Sequence, residues 1–302
     1  MEVFPRVKLV VSACLSGERK RYDGQIVTYP FIERLKKFCD FILFCPETGI
    51  GLPVPRDRTI LLKTGSSIKA FYLGTKEDIT EKVYEYYLNF KKNLKTFDGF
   101  LLKAKSPSCG ISPKTKTYAD ERGEKLITRS KGILANHILK DFSYIPVVDE
   151  YMLKKEDIFE DFFTKVFLFA RLRRFKNIQG EEKSVAGKNI ALFLLAYNPE
   201  QLESLGGLEK VCALDPKEIS VEMFASAFSR PRFYNTFLHL LSFLKPYLSP
   251  SAKKQYKLIA EKFLQGKKSL LQTCNSLKSL LPEDVKRDFL WFLNPYPEEL
   301  KG

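Results

Sequence analysis

Between residues 7 and 148 the apolar positions follow two alternating spacings. Val7 to Ala13 (VKLVVSA) is a short, nearly unbroken apolar run, the pattern of a strand buried on both faces. Tyr29 to Asp40 then sets Ile32, Leu35 and Phe38 on one helical face, and Phe41 to Phe44 is strand-like again. Lys69 to Leu73 reads as a further strand. Asp78 to Leu94 carries Ile79, Val83, Tyr86, Tyr87 and Phe90 at helical spacing, Phe100 to Leu102 is a strand, Lys131 to Leu139 a helix and Ile145 to Val148 a last strand. Strands separated by helices pair in parallel and are covered on both faces, so residues 1–150 are expected to form an α/β domain with a Rossmann-like parallel sheet.

From Tyr151 the pattern changes. Asp157 to Lys176, Val185 to Tyr197, Pro199 to Val211, Val221 to Ala227, Arg232 to Lys245, Pro250 to Gln265, Lys267 to Leu281 and Pro282 to Phe292 all carry helical spacing, with Pro or Gly between several of them. Residues 151–302 are therefore expected to form an all-α domain. The charged stretch DEYMLKKEDI (149–158) reads as the linker, and there is no internal repeat or low-complexity tract.

A chain of 302 residues with 44% hydrophobic content can build two cores. Its formal charge of +14 is spread over both halves and not gathered in a tail. Such an excess marks either a partner polyanion, nucleic acid before membrane, or a lysine-rich solvated surface; charge alone leaves both open. No stretch approaches the roughly 18 apolar residues of a membrane span, and MEVFPRVKLV lacks the apolar region of a secretory signal. A cytoplasmic location follows as an expectation. There the six cysteines would be reduced, which favours metal binding or catalysis over disulfides.

Three of those cysteines fall at carboxyl ends of expected strands: Cys14 after VKLVVSA, Cys45 after FILF, and Cys109 in the loop after Phe100 to Leu102. In an open parallel sheet those ends share one edge, where ligands bind. SACLSG, CPETGIGLPVPR and SPSCG surround the three with small residues, Pro and Gly, as in loops shaped around a ligand. Cys39, Cys212 and Cys274 lie in or beside expected helices and read as buried packing residues. Structural zinc prefers four ligands and commonly a CxxC pair, which is missing, and His137 and His239 lie on expected helices. A [4Fe-4S] cluster on three cysteines, with its fourth iron open, fits the set better. A zinc-stabilised RNA-binding module with three Cys ligands and a water is the non-enzymatic alternative.

VSACLSGERKRYDG, FCPETGIGLPVPR and LLKAKSPSCG, with a weaker echo in SKGILANHILKDFSYIPVVDE, resemble the TudS-type thiouracil desulfidase family over nearly all of residues 7–150. The resemblance implies a three-cysteine [4Fe-4S] cluster whose free iron accepts the sulfur of a thiolated pyrimidine, with hydrolysis giving the oxo form. Cys14, Cys45 and Cys109 take the ligand positions, and Glu47 and Ser106 those of the proton-transfer residues. A carboxylate within reach of the attacking water suits that role. Tyr22, Asp23, Lys105 and Ser108 are candidates to shape the substrate pocket.

The second half resembles, more patchily, the helical domain of RudS-type tRNA 4-thiouridine desulfidases, in FFTKVFLFARLRR, in the spaced Asn235 and His239 of FYNTFLHLL, and in FLNPYPEEL. A histidine-rich segment of that family is replaced here by EKSVAGKNIALFLLAYNP. The implied partner is tRNA, the implied substrate its 4-thiouridine; a desulfidase for free thiouracil or thionucleosides is the alternative. Arg171, Arg173, Arg174 and Lys176, interleaved with Phe169 and Phe175, are the candidate RNA-binding residues. A basic helix end matching its own dipole is the competing explanation.

Overall fold

The computed structural model describes residues 4–27, 29–176, 178–214 and 218–301, apart from the side chain of Cys212. They form two compact units, one from Arg6 to Lys155 and one from Glu156 onward together with Phe4 and Pro5. The division falls at Lys155 where the sequence suggests residue 150, and the start of the chain goes with the second unit: Phe4 packs edge-on against Phe167, ring centres 5.7 Å apart.

In the first unit, four parallel strands run in the order β2 (Cys39–Phe44), β1 (Val7–Ser12), β6 (Gly99–Leu102) and β9 (Val147–Asp149). Val7, Leu9, Val10 and Val11 are fully buried, which is why β1 reads as an unbroken apolar run. Val11 pairs with Leu43 on one side and Leu101 on the other. The chain thus leaves β1 first toward β2 and later toward β6, so a crevice opens at the carboxyl end of β1. Helices α1 (Pro30–Phe38), α2 (Pro46–Gly49), α3 (Thr80–Asn93) and α4 (Ala135–Asp141) complete the unit. Val83 and Tyr87 of α3 and Ala135 and Ile138 of α4 share a core with Phe44, Phe100 and Leu102. Tyr87 Oη donates to Asp141 Oδ2 at 2.8 Å and Lys91 Nζ lies 2.7 Å from the same oxygen, tying α3 to α4.

A second sheet departs from the expectation of one parallel sheet. Its order is β5 (Glu77–Asp78), β4 (Ser67–Tyr72), β3 (Thr59–Thr64), β7 (Thr115–Tyr118) and β8 (Leu126–Ser130), antiparallel except where β3 meets β7. The sequence reading anticipates only β4, although β3 also carries an apolar run, Ile60 to Leu62. The sheet rests on a small cluster of Ile60, Leu62, Phe71 and Tyr118, and β8 is exposed from Leu126 to Arg129, so no alternation announces it. The helix expected from Lys131 starts only at Ala135, because the preceding backbone bonds elsewhere, as described below.

In the second unit the described residues form helices and no strand: α5 (Glu156–Phe175), α6 (Gly180–Tyr197), α7 (Pro199–Ser204), α8 (Gly207–Ala213), α9 (Arg230–Leu244), α10 (Pro250–Leu264), α11 (Leu270–Lys278) and α12 (Glu283–Asp288). α5 and the later half of α6 are buried almost all round, as helices central to a bundle must be. The single helix expected over Pro199 to Val211 is broken between α7 and α8, where Gly206 takes φ 90°. The stretch Val221 to Ala227 contributes one tight turn, Val221–Phe224. α11 begins at Leu270 behind a capping box made by Ser269 and Gln272. Cys39 and Cys274 are buried packing residues. Cys212 lies in α8, but its side chain is outside the described part. No described helix is long and apolar enough to cross a membrane.

Candidate active site

The carboxyl edge of the parallel sheet gathers the three cysteines. Cys14 sits in the tight turn Ala13–Leu15 after β1, Cys45 directly precedes α2 after β2, and Cys109 lies in the loop after β6. All three line one cavity of about 260 Å³, with Ser12, Glu47, Lys103, Ser106 and Ser108.

Cys109 is held most tightly. Its Sγ lies 3.3 Å from both Ser12 Oγ and Ser106 Oγ. Ser12 Oγ also accepts Lys103 N at 2.9 Å, and Ser106 Oγ accepts Cys109 N at 3.2 Å, so both serines double as braces for the loop. The backbone before α4 closes over this turn: Gly132 N donates to Gly110 O at 2.7 Å, Ile133 N to Pro107 O at 2.9 Å and Leu134 N to Ser108 O at 3.0 Å. The approach is so close that a Cβ on Gly132 would stand 2.7 Å from Gly110 N and from Ser106 O. Gly49, behind Cys45, is covered by the Tyr86 ring, 2.1 Å from where its Cβ would be.

Burial foremost, opposed by hydrogen bonds with Ser106 and Ser12 and aided by Cys45 and Glu47, raises the Cys109 thiol to about 11. Burial first, then Cys109 and Cys45, hold the Cys14 thiol far above its ordinary value. Charge on a neighbouring thiol thus opposes ionisation of Cys14 and of Cys109. A bound metal group would reverse that logic, since its positive charge holds coordinating thiols deprotonated. Among the described residues no group of three or more His, Cys, Asp and Glu stands placed for a single metal ion. The three thiols line one cavity, and soft thiolates facing a cavity fit an iron-sulfur cluster.

Glu47, 12% exposed, is clamped from two sides. Its Oε2 accepts Arg56 Nη2 at 2.6 Å and Nε at 3.1 Å, and its Oε1 accepts Ser108 Oγ at 3.1 Å. Arg56 is 3% exposed, and its Nη1 donates to Lys20 O and Pro53 O, each at 3.3 Å. Arg56 is a site residue that the sequence reading passes over; its sign was its place at the end of CPETGIGLPVPR. Glu150 is another: it pairs with Lys103 Nζ and accepts Ala104 N at 2.7 Å.

Of the candidate pocket residues, Tyr22 and Lys105 are exposed at the mouth and Ser108 is buried in the wall. Asp23 is a correction. It lies outside the lining, its carboxylate taken by Arg21 Nη2 at 2.7 Å and Nε at 3.0 Å, so it positions Arg21, which does line the cavity.

Arg171 is a second correction. It is fully buried, and its guanidinium donates to Trp291 O at 3.2 Å, Pro295 O at 3.3 Å and Asn294 O at 2.5 Å. α5 is enclosed at this level, so the side chain serves the fold, joining FARLRR to FLNPYPEEL, and cannot meet a phosphate. Arg174 and Lys176 are exposed and Arg173 is half-buried. A richer basic surface lies on α10, where Lys254, Lys257 and Lys262 are exposed, followed by Lys267. Asn235 and His239 are both exposed, one turn apart on α9.

None of the curated proteins compared matches the chain. Among solved structures it is similar to the [4Fe-4S]-dependent thiouracil desulfidase TudS, at 28% identity over 49% of this chain and 94% of that one, with a TM-score of 0.36. Residues 9–150, most of the sheet-bearing unit, match the model of the 2-thiouracil desulfurase family.

Proposed function

We propose that the chain is a tRNA 4-thiouridine desulfidase, with a catalytic α/β unit and a helical unit that recognises tRNA. One observation carries the catalytic part: three thiols from three separate strand ends line a single cavity that also contains a clamped carboxylate. The match of residues 9–150 to the 2-thiouracil desulfurase family supports it. Cys14, Cys45 and Cys109 would hold a [4Fe-4S] cluster. Bound there, it supplies a soft Lewis acid with a vacant position, suited to the sulfur of a thiolated pyrimidine.

The net reaction is hydrolytic. The oxygen of water bonds to the carbon that carried sulfur, the carbon–sulfur bond breaks, and sulfur leaves as hydrogen sulfide without change of redox state. Glu47 is the group to take the proton from water at Oε1, while Arg56 fixes Oε2 and prevents the carboxylate from turning away. Ser108 places a hydroxyl on Glu47 Oε1 and Ser106 one beside Cys109 Sγ, so a hydroxyl stands near each end of the site to return a proton to the leaving side.

The charge of +14 and the exposed lysines of α10 support RNA as the substrate's carrier. The name of the matched family favours the second reading, a desulfidase of free thiouracil. The deciding experiment incubates anaerobically purified, cluster-loaded protein with bulk tRNA and with 2-thiouracil and measures the remaining thio-nucleoside and the sulfide released. Loss of 4-thiouridine from tRNA supports the proposal. Clearance of the free base with tRNA untouched replaces it by the second reading. A colourless protein without broad absorption near ~400 nm would leave neither reading standing.

A further inference from the structure

We propose that Ser12 is a positioning residue of the cysteine cavity: its hydroxyl donates to the sulfur of Cys109 and, together with Ser106, sets the reduction potential of the group that the three thiols would hold. This rests on reading the cavity as an iron-sulfur site. Ser12 is 2% exposed and closes β1 behind Val10 and Val11, both fully buried. A hydroxyl at the end of so apolar a strand costs free energy unless its oxygen and its proton both find partners. Here both do. Oγ accepts Lys103 N at 2.9 Å, the first backbone donor beyond β6, and the neighbour left for its proton is Cys109 Sγ at 3.3 Å. The sheet fixes the place of this donor, since Val11 before it pairs with Leu43 on one side and Leu101 on the other.

Ser106 repeats the arrangement from the loop side. Its Oγ accepts Cys109 N at 3.2 Å and Ser108 N at 3.3 Å, and lies 3.3 Å from Cys109 Sγ. A cysteine that coordinates iron has given up its proton, so both contacts then run from hydroxyl to sulfur. Cys109 thus receives two O–H donors. Among the described residues no side-chain hydroxyl bonds to the sulfur of Cys14 or Cys45. Ser16, two residues from Cys14, turns its hydroxyl to Ala13 O at 2.8 Å instead.

The asymmetry has a direction. A hydrogen bond to a coordinating thiolate draws negative charge away from the metal, which favours the form carrying one more electron and raises the potential. The proposed desulfidation moves no electrons. A potential raised from the ligand side therefore serves the persistence of the cluster: an electron is harder to remove from it, and it stays in one oxidation state while substrates come and go.

The test uses full-length protein, purified anaerobically and loaded with iron and sulfide, as wild type, Ser12→Ala, Ser12→Val, Ser12→Thr and Ser16→Ala. Iron and acid-labile sulfide are counted, and the midpoint potential is read by spectroelectrochemical titration. Val and Thr have the same shape, and only Thr carries a hydroxyl. Ser12→Ala and Ser12→Val are expected to bind iron as wild type does while their reduction equilibrium falls by about tenfold, about 59 mV for one electron. Ser12→Thr and Ser16→Ala should stay at the wild-type potential. Equal potentials in Ser12→Val and Ser12→Thr overturn the proposal, as does a shift of the same size in Ser16→Ala. Loss of iron from Ser12→Ala and Ser12→Val overturns it too, since the hydroxyl is then a brace for Lys103 N and not a setter of potential. A wild-type protein that binds no iron fails the iron-sulfur reading of the cavity itself. A loaded protein whose potential ignores Ser12 fails this proposal alone.

Discussion

Arg56 grips a single oxygen of Glu47 through two nitrogens, Nη2 at 2.6 Å and Nε at 3.1 Å, and so leaves the second oxygen to Ser108 Oγ, which donates to it at 3.1 Å in the wall of the cysteine cavity. The pair divides the carboxylate into an anchored half and a working half. Glu47→Gln keeps the shape but removes the proton acceptor, and turnover should fall by about 10²- to 10⁴-fold. Arg56→Ala should fall less far, and iron content and visible absorption should stay at the wild-type level in both. Loss of iron in either variant would move Glu47 from proton transfer to cofactor retention.

Cysteine variants should fall into two groups. Replacing Cys14, Cys45 or Cys109 by Ser should abolish or strongly reduce bound iron, because each lines the shared cavity. Cys274→Ser should keep it. That thiol is buried in the helical unit and donates to Phe292 O at 3.7 Å. Iron and acid-labile sulfide analysis after anaerobic purification reads the difference directly.

Gly132→Ala tests the clamp on the Cys109 turn. The added methyl would press on backbone atoms 2.7 Å away, which cannot rotate aside. A loss of about 1–3 kcal/mol in stability is expected, with reduced iron occupancy, although the residue touches neither ligand nor substrate. Retention of full occupancy and stability would mean that the loop yields more easily than its hydrogen bonds suggest.

Arg171 and Arg174 should separate fold from recognition. Arg171→Ala strips three buried carbonyls of their donor and should destabilise the helical unit by on the order of 3 kcal/mol, visible in chemical denaturation. Arg174→Ala, at an exposed position, should leave the denaturation midpoint in place. If RNA affinity responds to Arg174 and not to the midpoint, the surface end of α5 takes part in recognition.

Asp141 supplies the pH prediction. Hydrogen bonding from Lys91 foremost, against burial and with help from Tyr87, holds its carboxyl below the ordinary 3.8. A folded-state value below the unfolded one means that its contribution is complete above the ordinary carboxylate range and fades as pH falls through the lower folded value. Asp141→Asn should therefore cost about 1 kcal/mol near neutrality. The gap to wild type should close as melts are taken from about pH 5 down to about pH 2. A gap independent of pH would assign the effect to geometry.

Much of this site was legible in the residues. The cysteines follow apolar strand runs, and a parallel order carries all such strand ends to one edge, so their convergence needed no knowledge of side-chain positions. Arg56 was not legible, because its partner Glu47 lies across a proline-rich loop whose path no local pattern predicts. The second sheet was hidden because LITRS and TKTY put few apolar residues on a small core. Arg171 misled because a basic cluster at a helix end looks the same whether one member points inward or all point out. Only the carbonyls of Trp291, Asn294 and Pro295, more than a hundred residues later, decide it.

The frame around Cys109 has a consequence for biogenesis. Its turn is completed by backbone donors at Gly132, Ile133 and Leu134, which follow all three thiols in the order of synthesis. All three cysteines are therefore made before the residues that frame the last of them. A cluster held by the trio in that frame would be received after the loop has closed, by a unit that is already folded.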